Sequence, residues 1–475
     1  MKTGGVGVAK VQDLNLIEDS IPYLIRRIAA PASIGFFFNT MYNVVDTYWG
    51  GTISTEALAA LSLSFPVFFI ITAVGSGMST GATALIGTAL GAHQSGDARR
   101  LAVQSLTFGL ILSLVIGVCG YLISPLVFRF LGAEGLYHRL AVSYMRTIFC
   151  GAPLFILVFM LNAVLNAMGN TRVFRNFLIV AFLLNIGLDP WFIHGGLGVP
   201  PLGFSGIALA TVTVHFIGCV YLGWRVQAAG LIGRMAWREL RPRADLYRDI
   251  ARQGFPAAIN LATIGLGIFV IQYFVAQFGK EGVAAYGIGM RVEQMALLPT
   301  IGLNVAVLSL VAQNHGAGRF DRVLEIRIKA LFYGAVMMIA GGVLVFALSG
   351  PLMRLFTHDE LVIRTGAQYL KIDALVLYAY VILFVNVAAL QGVKKPNYAI
   401  WIGVYRQLAA PVVVFWLLSR VLGLGVVGIW WGIFVVTWSA ALFMMFYTPR
   451  LLRRFLGYPP LGNHSPPMPE SSREP

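Results

Sequence analysis

The chain has 475 residues, 58% hydrophobic and only 12% charged, with a mean hydropathy of +0.77 and a formal net charge of +15. Soluble domains carry about 25% charged residues, so this composition excludes one and points to a chain embedded in lipid. The positive balance raises nucleic acid as a partner, but the basic residues are dispersed and lack interleaved stacking aromatics, so no nucleic-acid partner is expected.

Residues 1–21 read as a cytoplasmic N-terminal segment. Asp13, Glu18 and Asp19 interrupt it and it lacks a compact apolar h-region, so no cleavable signal is expected and the first span stays as an anchor. Hydropathy then predicts about twelve transmembrane helices. Six fall at 22–48, 56–90, 100–127, 139–168, 173–194 and 204–225, forming an N-lobe over 22–226. A basic cytoplasmic linker spans 227–251. Six more, at 252–278, 282–313, 324–349, 363–392, 397–420 and 427–447, form a C-lobe over 252–449. Residues 450–475, rich in Pro and Ser after Tyr458, read as a disordered cytoplasmic tail. Apolar residues run continuously rather than alternating, which predicts spanning helices and not a barrel. Several spans exceed the roughly 20 residues a straight crossing needs, so tilts or kinks are expected. The 52 glycines suit close helix packing in lipid.

The charge follows the connections. Arg99, Arg100, Arg172, Arg175, Arg319, Arg322, Lys394, Lys395, Arg450, Arg453 and Arg454 fall on alternate loops, with Arg234, Arg238, Arg241, Arg243, Arg248 and Arg252 in or beside the linker. The other loops carry Glu56, Glu134, Glu281, Asp359 and Glu360. Positive residues stay inside, so both termini are expected in the cytoplasm and the protein in the inner membrane. The linker also suits contact with anionic lipid headgroups. Cys119, Cys150 and Cys219 lie in spans without metal spacing and read as packing residues.

The sequence also repeats itself. Pro31 and Pro256 are 225 positions apart, as are Gly91-Ala92 and Gly316-Ala317, and Tyr144-Met145-Arg146 is echoed by Tyr369-Leu370-Lys371. So long a period in so apolar a chain predicts two pseudo-symmetric six-helix bundles around a central cleft. The fold class is therefore an all-α membrane protein.

Acids inside spans cost roughly 2.5–3.5 kcal/mol on insertion scales and are the best functional clues. Asp46 ends the run Asn39-Thr40-Met41-Tyr42-Asn43-Val44-Val45-Asp46, and helical spacing groups Asn39, Asn43 and Asp46 on one face with Tyr42 a turn before. Asn185 and Asp189 are four apart on the fifth span and share a face. Together they predict a buried cation or proton site, with Na⁺ possible at Asp46, Asn185 and Asp189 through carboxylate, amide and Tyr42 oxygens. The plainer reading makes each Asp a headgroup contact or a helix cap, and Asp189 before Pro190 suits that. Candidates for a substrate cleft are Asn39, Asn43, Phe38, Asn162, Met290, Glu293, Asp373, Tyr378 and Arg406. Arg291 can instead satisfy Glu293, Asp373 can lie near the interface beside Lys371, and packing accounts equally well for the aromatics. His215 reads as a core histidine. Phosphate-loop, nucleophile-elbow and zinc signatures are missing, so no cofactor is expected.

At these residues the chain resembles the multidrug and toxic compound extrusion (MATE) family, in its prokaryotic, DinF-like branch. The resemblance rests on Pro31, Tyr42-Asn43-Val44-Val45-Asp46-Thr47, Asn185 with Asp189-Pro190, the Gly-Ala loops, the 202–211 run and Gly428-Ile429-Trp430. It covers about residues 20 to 450. It implies the MATE fold and export of cationic amphiphilic compounds in exchange for H⁺ or Na⁺, with a coupling site of Asp46, Tyr42, Asn185 and Asp189, Thr211 as a hydroxyl partner and Pro31 as a hinge. The expected partners are small organic cations and membrane lipids, with the protein a monomer. Eight positions beyond Pro256, where some family members place an acid, stands Ile264, which counts against a C-lobe cation site built on that acid. Alternatives are a flippase of lipid-linked precursors, which would want a strongly cationic cleft, and a membrane-embedded enzyme, for which no nucleophile–base or metal constellation is present.

Overall fold

The computed structural model describes residues 14–196, 198–233 and 237–457. Most of the predicted N-terminal segment, Arg234 in the linker and the tail from Tyr458 lie outside the described residues. The first repeat comprises α1 (Ile21–Ile53), α2 (Thr55–Gly91), α3 (Ser95–Phe130), α4 (Gly135–Ala167), α5 (Thr171–His194) and α6 (Phe204–Ala228). A single turn, α7 (Trp237–Leu240), leads to α8 (Ala244–Ala276), which begins inside the stretch read as linker. The second repeat continues with α9 (Lys280–Ala296), α10 (Leu298–Gly316), α11 (Phe320–Arg354), α12 (Glu360–Ala374) and α13 (Leu377–Gly392). The penultimate span runs as α14 (Asn397–Val404), a π-turn at Tyr405–Ala409, α15 (Ala410–Trp416) and a second π-turn at Leu417–Val421, before α16 (Gly425–Phe455).

Among the described residues nine helices are long and apolar enough to cross a membrane. Two bent pairs, α9–α10 at 44° and α12–α13 at 49°, bring the number to eleven. α1, 33 residues long, is not among them; it carries the polar Asn39, Asn43 and Asp46. The spans predicted as continuous at 282–313 and 363–392 are therefore bent, the first just before Pro299 in the opening turn of α10 and the second between Ala374 and Leu377, where no proline or glycine stands. Ser54 Oγ accepts from the Ala57 N–H (3.1 Å) to start α2, and the Asp359 carboxylate accepts from the Leu361 and Val362 N–H groups (2.9 and 3.2 Å) to start α12.

The 225-residue period is visible in the backbone. The turn after α2 puts His93 at φ 57° where its counterpart after α10 is Gly318 at φ 67°; the turn after α4 puts Gly169 at φ 74° where its counterpart is Lys394 at φ 60°. Both pairs adopt the left-handed conformation that reverses the chain, and each repeat tolerates one non-glycine there.

The lobes meet along the end that carries the basic loops, and they meet symmetrically. Gly77 on α2 lies against the Ala258 backbone on α8, while Gly302 on α10 lies against Ser33 on α1. These are the same contact shifted by 225 positions. Likewise Gly91 touches the Gln313 carbonyl and Gly316 touches the Thr88 carbonyl. Each repeat thus lends its first helix to the other lobe: α1 packs on α10 as well as α5, and α8 packs on α2. A Cβ at any of these glycines would push the backbones apart.

The inter-lobe connection is pinned to α3. The buried Gln104 side chain donates to the carbonyls of Glu239 (2.8 Å) and Arg241 (3.0 Å) and accepts from the Arg243 N–H (3.0 Å). Arg99 pairs with Glu239 at 2.9 Å and Tyr247 donates to Thr107 at 2.9 Å. Three hydrogen bonds of about 1 kcal/mol each hold this strap. Gln104→Leu should therefore expose the Arg241–Arg243 backbone to trypsin at least about tenfold faster, as local opening becomes cheaper. Limited proteolysis of the purified protein reads this directly.

Candidate functional site

The first-lobe acids converge. Asp46 and Tyr42 come from the C-terminal half of α1, Asn185 and Asp189 from α5 and Thr211 from α6, and all five are buried. The Asn185 amide donates one N–H to Asp46 Oδ1 (2.6 Å) and the other to Asp189 Oδ2 (3.0 Å). Both of its protons are thus used to hold two carboxyl groups face to face. Two carboxylates that share one neutral donor in a low-dielectric interior repel each other, and a proton or a cation between them relieves the repulsion. Thr211 Oγ1 donates to the Ile207 carbonyl (3.0 Å) on its own helix, leaving its lone pairs toward the cluster. Among the described residues, Tyr42 Oη, Asn185 Oδ1 and Asp189 Oδ1 are buried without a hydrogen-bond partner. Hard cations take such oxygens as ligands, so the donor set fits a proton or a small cation such as Na⁺. Among the described residues no group of three or more His, Cys, Asp and Glu gathers to hold a metal.

His215 supports this site from behind: its Nδ1 lies 2.8 Å from the Thr211 carbonyl, and its ring packs 4.1 Å from Phe155. Tyr144 on α4 is within electrostatic reach of both carboxylates. Residue-type reasoning passed over it, although the echo that pairs Tyr144 with Tyr369 was already a signal, because Tyr369 stands at a second acidic cluster.

That second cluster lies in the other lobe, where α9–α10 and α12–α13 bend. Asp373 is 1% exposed and neither of its carboxylate oxygens has a protein partner. The Tyr369 hydroxyl donates to Glu293, and Tyr286, Tyr369 and Trp430 pack ring against ring around them. This corrects two expectations. Arg291 is exposed and does not satisfy Glu293, and Asp373 is buried rather than exposed beside Lys371.

The MatE family model matches residues 31–191 and again residues 256–416, the same 225-residue period that the backbone shows. The chain belongs to the MatE family. It is similar to the probable multidrug resistance protein NorM of Thermotoga maritima, 26% identical over 91% of this chain and 94% of that protein. It is also similar to the probable multidrug resistance protein YoeA of Bacillus subtilis, 28% identical over 81% and 83%. The FAD transporter of Shewanella oneidensis is 26% identical over 82% and 86%. Among solved structures, a MOP superfamily transporter from Pyrococcus furiosus superposes with a TM-score of 0.87 at 24% identity, covering 94% of this chain and 98% of that one. The MATE fold is thus shown, and the MatE protein described here is a multi-pass membrane transporter and not an enzyme.

In this MatE transporter the remaining cleft candidates divide. Asn39 and Asn43 are exposed, and Asn43 donates to the Asn39 carbonyl (2.8 Å), so they do not join Asp46 as the shared face predicted. A helix face wider than one residue separates them: Tyr42 and Asp46 turn inward while their neighbours turn out. Phe38 packs on Phe182 (5.6 Å between ring centres), Met290 packs on the second-lobe core, and Tyr378 packs on Trp438 (6.4 Å). Asn162 is buried on α4. Cys119 and Cys150 are exposed on the outer helix surface rather than packed inside. Pro31 sits within an unbroken α1.

Proposed function

We propose that this MatE transporter exports cationic, amphiphilic compounds across the inner membrane in exchange for H⁺ or Na⁺, with its basic end and both termini in the cytoplasm. The observation that carries the reading is the pair of buried carboxyl groups held by one amide. Such a pair takes either a positive charge from the coupling ion or the field of a cationic substrate, and the two compete. The positive-inside distribution supports the orientation, and the names of the NorM and YoeA relatives support multidrug cargo. The FAD transporter among the relatives shows that cargo varies among similar proteins.

With the basic end sealed by the glycine contacts, the cleft faces the outer side, where the coupling ion enters. Ion binding at Asp46 and Asp189 neutralises the pair and removes the attraction for a cation. Return of the ion-loaded lobe arrangement to the inner side, through a bend of α1 at Pro31, closes the cycle. One charge moving inward across about 100 mV contributes about 2.3 kcal/mol. Exchange requires ion and substrate to disfavour each other's binding by the same factor. The test is ethidium transport by the purified protein in liposomes, with the proton and sodium gradients collapsed one at a time. Collapse of one of them should stop transport. Transport that continues with both gradients absent would rule out antiport.

A further inference from the structure

The two lobes use equivalent helix pairs for opposite charges. In the first lobe, α1 and α5 carry Asp46 and Asp189. Their counterparts in the second lobe are α8 and the α14–α15 span, and there the charged side chain is Arg406, on the π-turn at Tyr405–Ala409. Arg406 stands 225 positions beyond Ala181, one turn before Asn185. A π-turn inserts an extra residue into the helical register and commonly marks a functional site, because it re-aims a side chain.

Here it aims a guanidinium into a small cavity walled by Asn260, Thr263 and Ile264 of α8, by Tyr380 and Phe384 of α13 and by Gly403. Gly403 sits close under these side chains: a Cβ there would come 2.6 Å from Asn260 Oδ1 and 2.8 Å from Thr263 Oγ1. Arg406 stacks over the Tyr380 ring at 5.3 Å from its centre. Among the described residues no carboxylate lies within 4.0 Å of it, and it makes no hydrogen bond within the protein. Glu293 feels its charge from farther away and is engaged by the Tyr369 hydroxyl, while Asp373 lies buried behind that pair. A half-buried cation in mid-span with a fork of free N–H donors is costly unless something else takes them, and planar guanidinium forks match carboxylates in two parallel hydrogen bonds.

We propose that Arg406 is a carboxylate-binding subsite for the transported compound. The cargo of this protein then includes zwitterionic amphiphiles, whose acid docks on Arg406 while their amine faces the first-lobe carboxylates. This rests on the export reading above, and equilibrium binding separates the two. Rhodamine B, which carries a free carboxylate, and its ethyl ester, which lacks one, are titrated against detergent-solubilised full-length protein by fluorescence polarisation. The wild type should bind rhodamine B at least about tenfold more tightly than the ester. Arg406→Gln should abolish that preference through weaker binding of rhodamine B, and Arg406→Lys should retain part of it.

Equal wild-type affinities for acid and ester would overturn the proposal. So would an Arg406→Gln protein that loses affinity for both dyes in the same proportion, the mark of a brace rather than a subsite. Thermal unfolding of each variant establishes that the compared proteins are folded. Failure of gradient-driven ester transport alongside an intact acid preference would sink the export reading and leave the subsite standing.

Discussion

The double substitution Asp46→Asn with Asp189→Asn should lower gradient-driven efflux about 5- to 150-fold while leaving a folded, membrane-inserted protein. Asparagine preserves the shape of each side chain, so Asn185 still finds an acceptor at both positions and the packing of α1 on α5 survives. What disappears is the charge. Neither a proton nor Na⁺ then gains from entering, and a cationic substrate loses its attraction to the lobe, so the two ligands no longer exclude each other. Coupling free energies of 1–3 kcal/mol correspond to about 5- to 150-fold, and the loss of efflux at equal membrane abundance should fall in that range. Asn185→Ala should do nearly as much harm by removing the one donor that both carboxyl groups share. Asn43→Ala, one turn away but exposed, should leave efflux within about twofold of wild type. Undiminished, gradient-dependent efflux by the double variant would refute the assignment.

Filling the lobe contact should be almost as damaging, by a different route. Gly91→Val with Gly316→Val places side chains where the Gln313 and Thr88 carbonyls already touch the backbone. Overpacking costs about 1–3 kcal/mol per site, and it falls only on the arrangement in which the basic end is closed. Because the contact forms only in that arrangement, the cost shifts the population toward the opposite one. At 1.4 kcal/mol per tenfold, two sites shift that balance by roughly 30-fold or more. Hydrogen exchange at residues 254–258 and 312–316 should quicken in the double variant, and efflux should fall at least about tenfold. Unchanged exchange with wild-type efflux would show that this contact does not form in the working protein. The single variants should be nearly equivalent, because the two glycines are the same residue of the two repeats.

The sequence was most legible where local chemistry and periodicity agree. Continuous apolar runs with alternate basic loops marked the helices, and the Pro31/Pro256 spacing marked the duplication. The four-residue step from Asn185 to Asp189 placed those two side chains together without any structure, since i and i+4 always stack on a helix. The same spacing did not tell which of Asn39, Asn43 and Asp46 is buried. Helical spacing says which residues share a face, but not which part of that face is buried, and this is set by the neighbouring helix α5. It also missed both breaks: the one after Ala296 was signalled by Pro299, which starts α10, whereas the one after Ala374 carries no proline or glycine. Arg406 was singled out as a charge, but its π-turn and its lack of an ion-pair partner are facts of three dimensions.

By itself, then, the sequence determined the all-helical membrane class, the two equal halves and the residue types of the acidic cluster. Each of these follows from composition or from spacing along one helix. Only the tertiary structure decided that one amide holds a carboxyl group on its own helix and another 139 residues away, that the halves meet through matched glycines, and that their equivalent helix pairs carry opposite charge. Those facts depend on which helices become neighbours and how closely their backbones approach. That is fixed by the fit of one helix surface against another, which no single segment of the chain encodes.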